Sequence, residues 1–305
     1  MSQHKIQIKS EDKGYRIDKW LKKQYNVPYP LLQKLFRKKD ILVNAIVADP
    51  TYILAVGDVV CYYGTEFSKK ASYQDFSQQT YNELMSEVRK NIIYENEEIL
   101  IINKPYAIPV QNGSKISISI DTLLCGLCPS SQPKLVHTLD RYTTGILIIA
   151  KSKEVAAQLL VLFKEHRIKK QYLAVLDGVP KLSEGVITSK LSKSLVGEQE
   201  KVVSSDEGKE AITKFKVLSV SEKDNLSLVS FFPVTGRTHQ IRVHACDELR
   251  CPVLGDGKYF KQKRNNKMHL HSYKTEFLLN NEKYSFTAPI PEHIKKTLAQ
   301  NHLKL

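Results

Sequence analysis

No apolar run in the 305 residues approaches the length of a membrane span, so a transmembrane helix is excluded. The opening residues, MSQHKIQIKSEDKGYR, are polar and contain no apolar segment of the kind a secretory leader needs, so no export signal is expected. Cysteine is sparse and odd in number, five in all, which argues for reduced thiols in a cytoplasmic chain. There is no internal repeat and no low-complexity tract. Acidic residues are outnumbered, 32 against 46 basic ones, leaving a formal net charge of +14. A surplus of that size points to a polyanionic partner, most often nucleic acid. The 42% apolar content fits a globular protein, and the length allows one large domain or two smaller ones.

The chain divides near residues 64–90, a polar stretch rich in Ser and Gln that reads as a linker with a helical end around Tyr81 to Lys90. Before it lies a small module, residues 1–63. Ile17, Trp20 and Leu21 have helical spacing within Arg16 to Tyr25. The prolines of VPYP then interrupt the chain. A second helix places Leu31, Leu32, Leu35 and Phe36 on one face and Lys34, Arg37, Lys38 and Lys39 largely on another. Ile41 to Val43 and Ile46 to Ala48, joined at Asn44-Ala45, suggest a hairpin. Val56-Gly57-Asp58 turns into a strand from Val59 to Tyr63. Four cations at one helix end suit phosphate contact; an ordinary solvated face is the bland alternative.

Residues 91–305 form the larger part. Ile92 to Tyr94 and Ile99 to Ile102 read as a hairpin that Lys104-Pro105 ends. Val155 to Lys164 reads as an amphipathic helix, and Tyr172 to Leu176, Leu226 to Phe232, Ile241 to His244 and Tyr284 to Thr287 read as strands. Strands outnumber helices without regular βαβ alternation, so the fold class is α+β.

The chemistry gathers around HTLDRYTTGILIIAK, His137 to Lys151. Ile146 to Ala150 is the continuous apolar run of a strand buried on both faces. Asp140 stands just before it, and a carboxylate beside a core requires a cationic or hydrogen-bonding partner. Adjacent side chains do not normally face one another, so Arg141 is a poor candidate. The distant segment FFPVTGRTHQIRVHA offers Arg237, His239, Arg242 and His244 around Gly236. A plain buried ion pair and a phosphate-binding loop both remain compatible with these residues. Asn112-Gly113-Ser114 reads as a turn. Cys125-Gly126-Leu127-Cys128 is an isolated CxxC and, with Cys246 and Cys251 far away, reads as thiols rather than a zinc site. A metal held by His137 and Asp140 is likewise not expected.

HTLDRYTTGILIIAK resembles the HRLDxxTSGLLLxAK motif of the RluA family of pseudouridine synthases. ILIINKPYAIPVQNGS, KKQYLAVLDG and PVTGRTHQIRVH resemble its other motifs, in the same order, from Ile92 to Pro291. RIDKWL, LLQKLFRKKDILVN and AVGDVV resemble an S4 RNA-binding domain. The NVPYPLLQKLFRKKDILVN segment and the short VQNGSK are similar to the RluC subgroup, which acts on large-subunit (23S) ribosomal RNA.

This resemblance implies a mixed, mainly antiparallel catalytic domain preceded by a small helix-helix-hairpin module. It implies that Asp140 is the catalytic aspartate, that Tyr172 stacks on the base, that Arg237 pairs with Asp140, and that Leu270 walls the base. Arg141, with Lys34, Arg37, Lys38 and Lys39, would contact RNA. No metal or organic cofactor is expected. The expected partner is 23S ribosomal RNA or the large-subunit precursor particle, bound by a monomer away from any membrane. Pseudouridylation detaches a uracil and rejoins it through C5, so the nucleotide must leave its stack and enter a closed pocket. Asp140 could engage C1′, C6 or the C2′ proton. Thr138 and Thr144 depart from the family's usual Arg and Ser, and the first departure bears on RNA opening. A non-enzymatic RNA-binding assembly protein with a decayed site is the rival reading; retention of Asp140, Tyr172 and Arg237 together argues against it.

Overall fold

The computed structural model describes residues 3–25, 29–63, 78–112, 118–196, 199–260 and 267–305. The chain divides into two compact units, residues 1–77 with 113–117, and residues 78–112 with 118–305.

In the first unit, β1 (Gln3–Gln7), α1 (Ile17–Gln24), α2 (Tyr29–Arg37), β2 (Ile41–Val43), β3 (Ile46–Val47) and β4 (Val59–Tyr63) follow in order. The strands pair as β1-β4-β2-β3. Pro30 falls in the first turn of α2, where its missing N–H costs nothing. Asn44 and Ala45 both have positive φ, which gives the β2–β3 turn the twist a tight hairpin needs. Ile17, Trp20 and Leu21 of α1 and Leu32 and Leu35 of α2 bury against Ile41, Val43 and Val60. Arg37, Lys38 and Lys39 are exposed beyond that apolar face. Residues 26–28 and the side chain of Lys34 lie outside the described residues.

The second unit begins with α3 (Gln78–Lys90), then β5 (Ile92–Glu95), β6 (Ile99–Lys104), α4 (Ile120–Leu127), β7 (Lys134–Leu135), β8 (Thr144–Ala150) and α5 (Lys153–Lys164). Next come β9 (Lys169–Asp177), β10 (Glu184–Val196), β11 (Gln199–Ser204), β12 (Lys209–Ser221), β13 (Leu226–Pro233) and α6 (Gln240–Val243), which continues as a short π-helix, His244–Glu248. β14 (Leu270–Leu279), β15 (Glu282–Thr287) and α7 (Glu292–Gln300) complete it. The linker expected from the sequence therefore ends earlier. Residues 64–77 lie outside the described residues, but α3 belongs to this unit, because Met85 and Val88 bury against Leu100 and Ile102.

One sheet runs β11-β10-β12-β13-β9-β14-β8-β6-β5, with β15 on β14 and β7 on β8. Its pairings are antiparallel except β14 with β8. Alternation along β6 and β8 explains why Ile99–Ile102 and Ile146–Ala150 are continuous apolar runs. Ile99, Ile101, Ile146 and Ile148 face α5, while Leu100, Ile102, Leu147 and Ile149 face α3 and α4. Each such side chain contributes roughly 1.5–3 kcal/mol on burial. Farther along, Leu173 and Val175 of β9 and Leu228 of β13 pack on Ile294 and Leu298 of α7. Val229 and Phe231 meet Ile241 and Ala245 on the other face.

One expected strand is helical. Ile241 to His244 lie in α6 and at the start of the π-helix that continues it, and Ile241, Arg242, Val243 and His244 are all buried. The apolar-polar alternation of IRVH is therefore not an in-out alternation: the polar members are interior groups with specific partners.

Candidate active site

The loop before β8 is pinned at both ends. Upstream, the His137 Nε2 atom accepts the Ile148 N–H at 2.9 Å. Burial drives that imidazole's pKa down to about 3, so it stays neutral, and this nitrogen is already engaged rather than open to a metal. Downstream, Gly145 has φ +106, and a Cβ there would clash with the Ser272 carbonyl oxygen. Only glycine allows β8 to approach β14 this closely. Between the pins, Thr143 N–H donates to the Asp140 carbonyl at 3.0 Å, closing a turn that carries the carboxylate.

Lys104 fastens this turn from beneath. Its side chain is wholly buried at the end of β6, and its Nζ donates to the carbonyls of Ile108 (2.8 Å), Pro105 (3.0 Å) and Arg141 (3.1 Å). Burial pulls its pKa down to about 7, against the pull of the Asp140 charge. Three carbonyl acceptors match the three N–H donors of the ammonium form.

Register brings the other groups to Asp140. Ser272 pairs with Gly145 on one side and Tyr172 on the other, so β14 sets the Asp140 loop beside the β9 tyrosine. The resulting cavity, about 170 Å³, is lined by Asp140, Tyr172, Arg237 and Leu270 together, with Lys170, His239 and Arg242. Burial raises the Tyr172 phenol to about 12, opposed by its hydrogen bond with Ser272, so it is a neutral hydroxyl at physiological pH. Burial lowers Lys170 to about 8.

The guanidinium on Asp140 is not the expected one. Arg242 Nη1 donates to Asp140 Oδ2 at 3.0 Å, whereas Arg237 Nε donates to the Glu210 carbonyl at 2.8 Å. Gln240 sets this choice. Its side-chain oxygen accepts from Arg237 N–H (2.9 Å) and Thr235 Oγ1 (2.8 Å), and its Nε2 donates to the Ile212 carbonyl (3.0 Å) and Thr213 Oγ1 (2.8 Å). The turn so formed directs Arg237 toward β12, while the α6 backbone turns Arg242 inward. Arg242 is 5% exposed, with Nε and Nη2 on the two Asp256 oxygens at 2.6 and 2.7 Å. Burial opposes its charge, but Asp256 and Asp140 more than compensate and raise its pKa.

Of the remaining expected residues, Arg141 and Thr138 are exposed. Arg141 Nε donates to the Ala107 carbonyl at 3.0 Å, and its guanidinium lies 5.5 Å from the Tyr142 ring centre. Residues 113–117, including the rest of the turn after Asn112, lie outside the described residues. Cys125 is exposed and Cys128 is buried at the end of α4.

The sequence had placed Arg242 and His239 among candidate donors but gave Asp256, Lys104 and Lys170 no role. Lys104 carried a signal, a lysine at the end of an apolar strand before proline. Asp256 carried only Leu254-Gly255-Asp256-Gly257, a turn-like string with nothing to tie it to α6.

Comparison with known proteins places the chain in a family. Residues 98–246 match the family described as RNA pseudouridylate synthase. A ribosomal large subunit pseudouridine synthase C of Rickettsia typhi is 35% identical over 290 residues, covering 92% of each chain. The protein of that name from Haemophilus ducreyi is 33% identical over 307 residues, covering 96% of this chain and 94% of that one. Among solved structures, human RNA pseudouridylate synthase domain containing 4 superposes with a TM-score of 0.65 at 26% identity, covering 75% of this chain and 99% of that one. A carboxylate held by a buried arginine, beside a neutral tyrosine and an apolar wall, is thus found in a chain that belongs to the RNA pseudouridylate synthase family.

Proposed function

We propose that this protein isomerises uridines of large-subunit (23S) ribosomal RNA to pseudouridine, with Asp140 as the group that engages the nucleoside. The observation that carries the reading is the Asp140–Arg242 contact on a cavity also lined by Tyr172 and Leu270. Arg242 Nη1 holds Asp140 Oδ2 at 3.0 Å and so fixes how the carboxylate faces the cavity. Tyr172 and Leu270 offer an aromatic and an apolar surface that retain a detached uracil while it turns. Arg237, on the cavity rim, is assigned to the RNA backbone rather than to Asp140. The ribosomal target is supported by the names of relatives that match along nearly the whole chain.

The first unit is assigned as an S4-type RNA-binding module. Its support is the order of two helices, a hairpin and a strand, with Arg37, Lys38 and Lys39 exposed at the end of α2. The protein acts as a monomer in the cytoplasm, on free RNA or a precursor particle.

Carbodiimide mapping of pseudouridine in large-subunit RNA, from cells with and without this gene, tests the reading. Specific sites should disappear with the gene and return with the wild-type protein but not with Asp140→Asn. That variant is nearly isosteric and lacks a nucleophile or base, so its RNA affinity should stay within a few-fold. Restoration of the sites by Asp140→Asn would sink the proposed role.

A further inference from the structure

Three groups behind the cavity form a directed chain. Val202 N–H donates to Tyr259 Oη at 3.1 Å, Tyr259 Oη lies 2.7 Å from His239 Nδ1, and His239 Nε2 lies 3.8 Å from Asp140 Oδ1. Tyr259 Oη accepts from Val202, which leaves its own proton for His239 Nδ1. The imidazole then carries its proton on Nε2. The opposite tautomer would turn the Nε2 lone pair toward a carboxylate and strand the tyrosine proton. Burial raises Tyr259 to about 12, so the phenol keeps that proton. Burial also lowers His239 to about 4, with Asp140 pulling the other way, so the ring is neutral at physiological pH.

The geometry leaves this donor unspent. A separation of 3.8 Å is too long for a hydrogen bond to Asp140. His239 lines the cavity, and its side chain is 15% exposed there. Arg242 meanwhile occupies Oδ2, so Oδ1, the oxygen on the His239 side, is the one open to substrate. His239 is held in this position by a left-handed backbone, φ +54, at the start of α6.

We propose that His239 is a second catalytic group, whose Nε2–H donates a hydrogen bond to the uracil C2 carbonyl beside the glycosidic nitrogen. The inference rests on the isomerase reading above. Whichever atom Asp140 engages first, the C1′–N1 bond must break, and its electron pair passes to the base and spreads over N1, C2 and O2. A fixed donor at O2 stabilises that charge without transferring a proton. The charge is discharged when C5 bonds to C1′, the C5 proton leaves and N1 regains a proton. A neutral donor suits the task, because an imidazolium would draw Asp140 into an ion pair and blunt it.

The test uses the full-length protein and a large-subunit RNA transcript carrying uridine tritiated at C5, whose release reports the new C–C bond. His239→Leu should lower kcat about tenfold or more with KM within about threefold, and His239→Gln, which restores an N–H donor, should recover part of the loss. Nitrogen-15 spectra of the wild-type imidazole should show the Nε2–H tautomer, and Tyr259→Phe should mix the two tautomers. A smaller loss in kcat, a loss confined to KM, or a wild-type Nδ1–H tautomer would overturn the proposal. Because the tautomer is read on the wild-type protein, it still decides the matter if a variant fails to fold. Absence of tritium release by the wild-type protein would sink the isomerase reading, and the catalytic role with it.

Discussion

Arg242 reaches Asp140 through Nη1 alone, because its Nε and Nη2 are both committed to Asp256. The buried aspartate thus fixes the plane of the guanidinium, and the guanidinium fixes one oxygen of the cavity carboxylate. Lysine cannot bridge two carboxylates in this way. Arg242→Lys is expected to lower turnover about 100-fold and to cost about 3 kcal/mol of stability by leaving Asp256 under-paired. Arg237→Ala, which removes an exposed bond to a carbonyl, should change stability by less than about 1 kcal/mol and weaken RNA binding more than it slows turnover. Denaturant unfolding and single-turnover kinetics on both variants check this; an Arg237→Ala defect in chemistry equal to that of Arg242→Lys would contradict the assignment.

Gly145→Ala should be among the most damaging single substitutions in the protein. Its Cβ would strike the Ser272 backbone, which cannot give way without parting β8 from β14. A loss of about 3 kcal/mol or more is expected, well above the usual cost of a surface change. A melting temperature within a few degrees of wild type would show that the strands tolerate the separation.

Stability should fall on mild acidification. Burial depresses His137 to about 3 and His239, His244, His269 and His271 to about 4. In the unfolded chain these rings titrate near 6.5. Between pH 6.5 and 4 the unfolded state therefore binds more protons, and stability drops as pH falls, by up to about 1.4 kcal/mol per pH unit for each ring. Urea unfolding at pH 7, 6 and 5 measures it, and a flat profile would mean that the rings are not held neutral.

Arg141 lies on the same loop as Thr138, which lines the cavity, and is tied to the Ala107 carbonyl near the Tyr142 ring. If Arg141 performs the opening task assigned to an arginine at position 138, Arg141→Ala should cost about tenfold on a base-paired stem and less than about threefold on an unpaired loop. Adding Thr138→Arg should restore part of the stem activity, and a double-mutant cycle on both RNAs quantifies the coupling. Equal losses on both, with no recovery, would remove Arg141 from that task.

Salt dependence reports on the exposed end of α2. Replacing Arg37, Lys38 and Lys39 with alanine should flatten the slope of log K against log salt by roughly 0.7–0.9 per lost phosphate contact. An unchanged slope would make these residues a solvated face.

Local patterns carried much of this architecture. The apolar run of β8 revealed a strand covered on both faces; the close approach of Gly145 to the Ser272 carbonyl is visible only in the structure. Helix α4 was also legible. Ser119 and Thr122 form a capping box, and Ile120, Leu123, Leu124 and Leu127 repeat at helical spacing. It went unread beside the more conspicuous cysteines. The identity of Asp140's partner was not legible, because Arg237 and Arg242 lie on one short segment and only the Gln240-centred turn separates their directions. β14 was hidden for a different reason: His271 and Ser272 are polar residues buried at its start, so the strand shows no clean alternation. The long β10–β12 pair was missed because much of its surface is exposed and rich in lysine and serine.

The position of β14 bears on how the protein comes into being. It lies between β8 and β9, which precede it by about a hundred residues, and it joins two groups of strands that otherwise share no pairing. During synthesis the Asp140 turn and the Tyr172 strand leave the ribosome early, yet the strand that pairs with both forms only when residues 270–279 emerge and slot between them. Leu270 and Ser272 arrive at the same moment. Assembly of the site is thus coupled to near-completion of the chain, and a nascent protein truncated before this strand lacks the pairing that sets the Asp140 turn beside the Tyr172 strand.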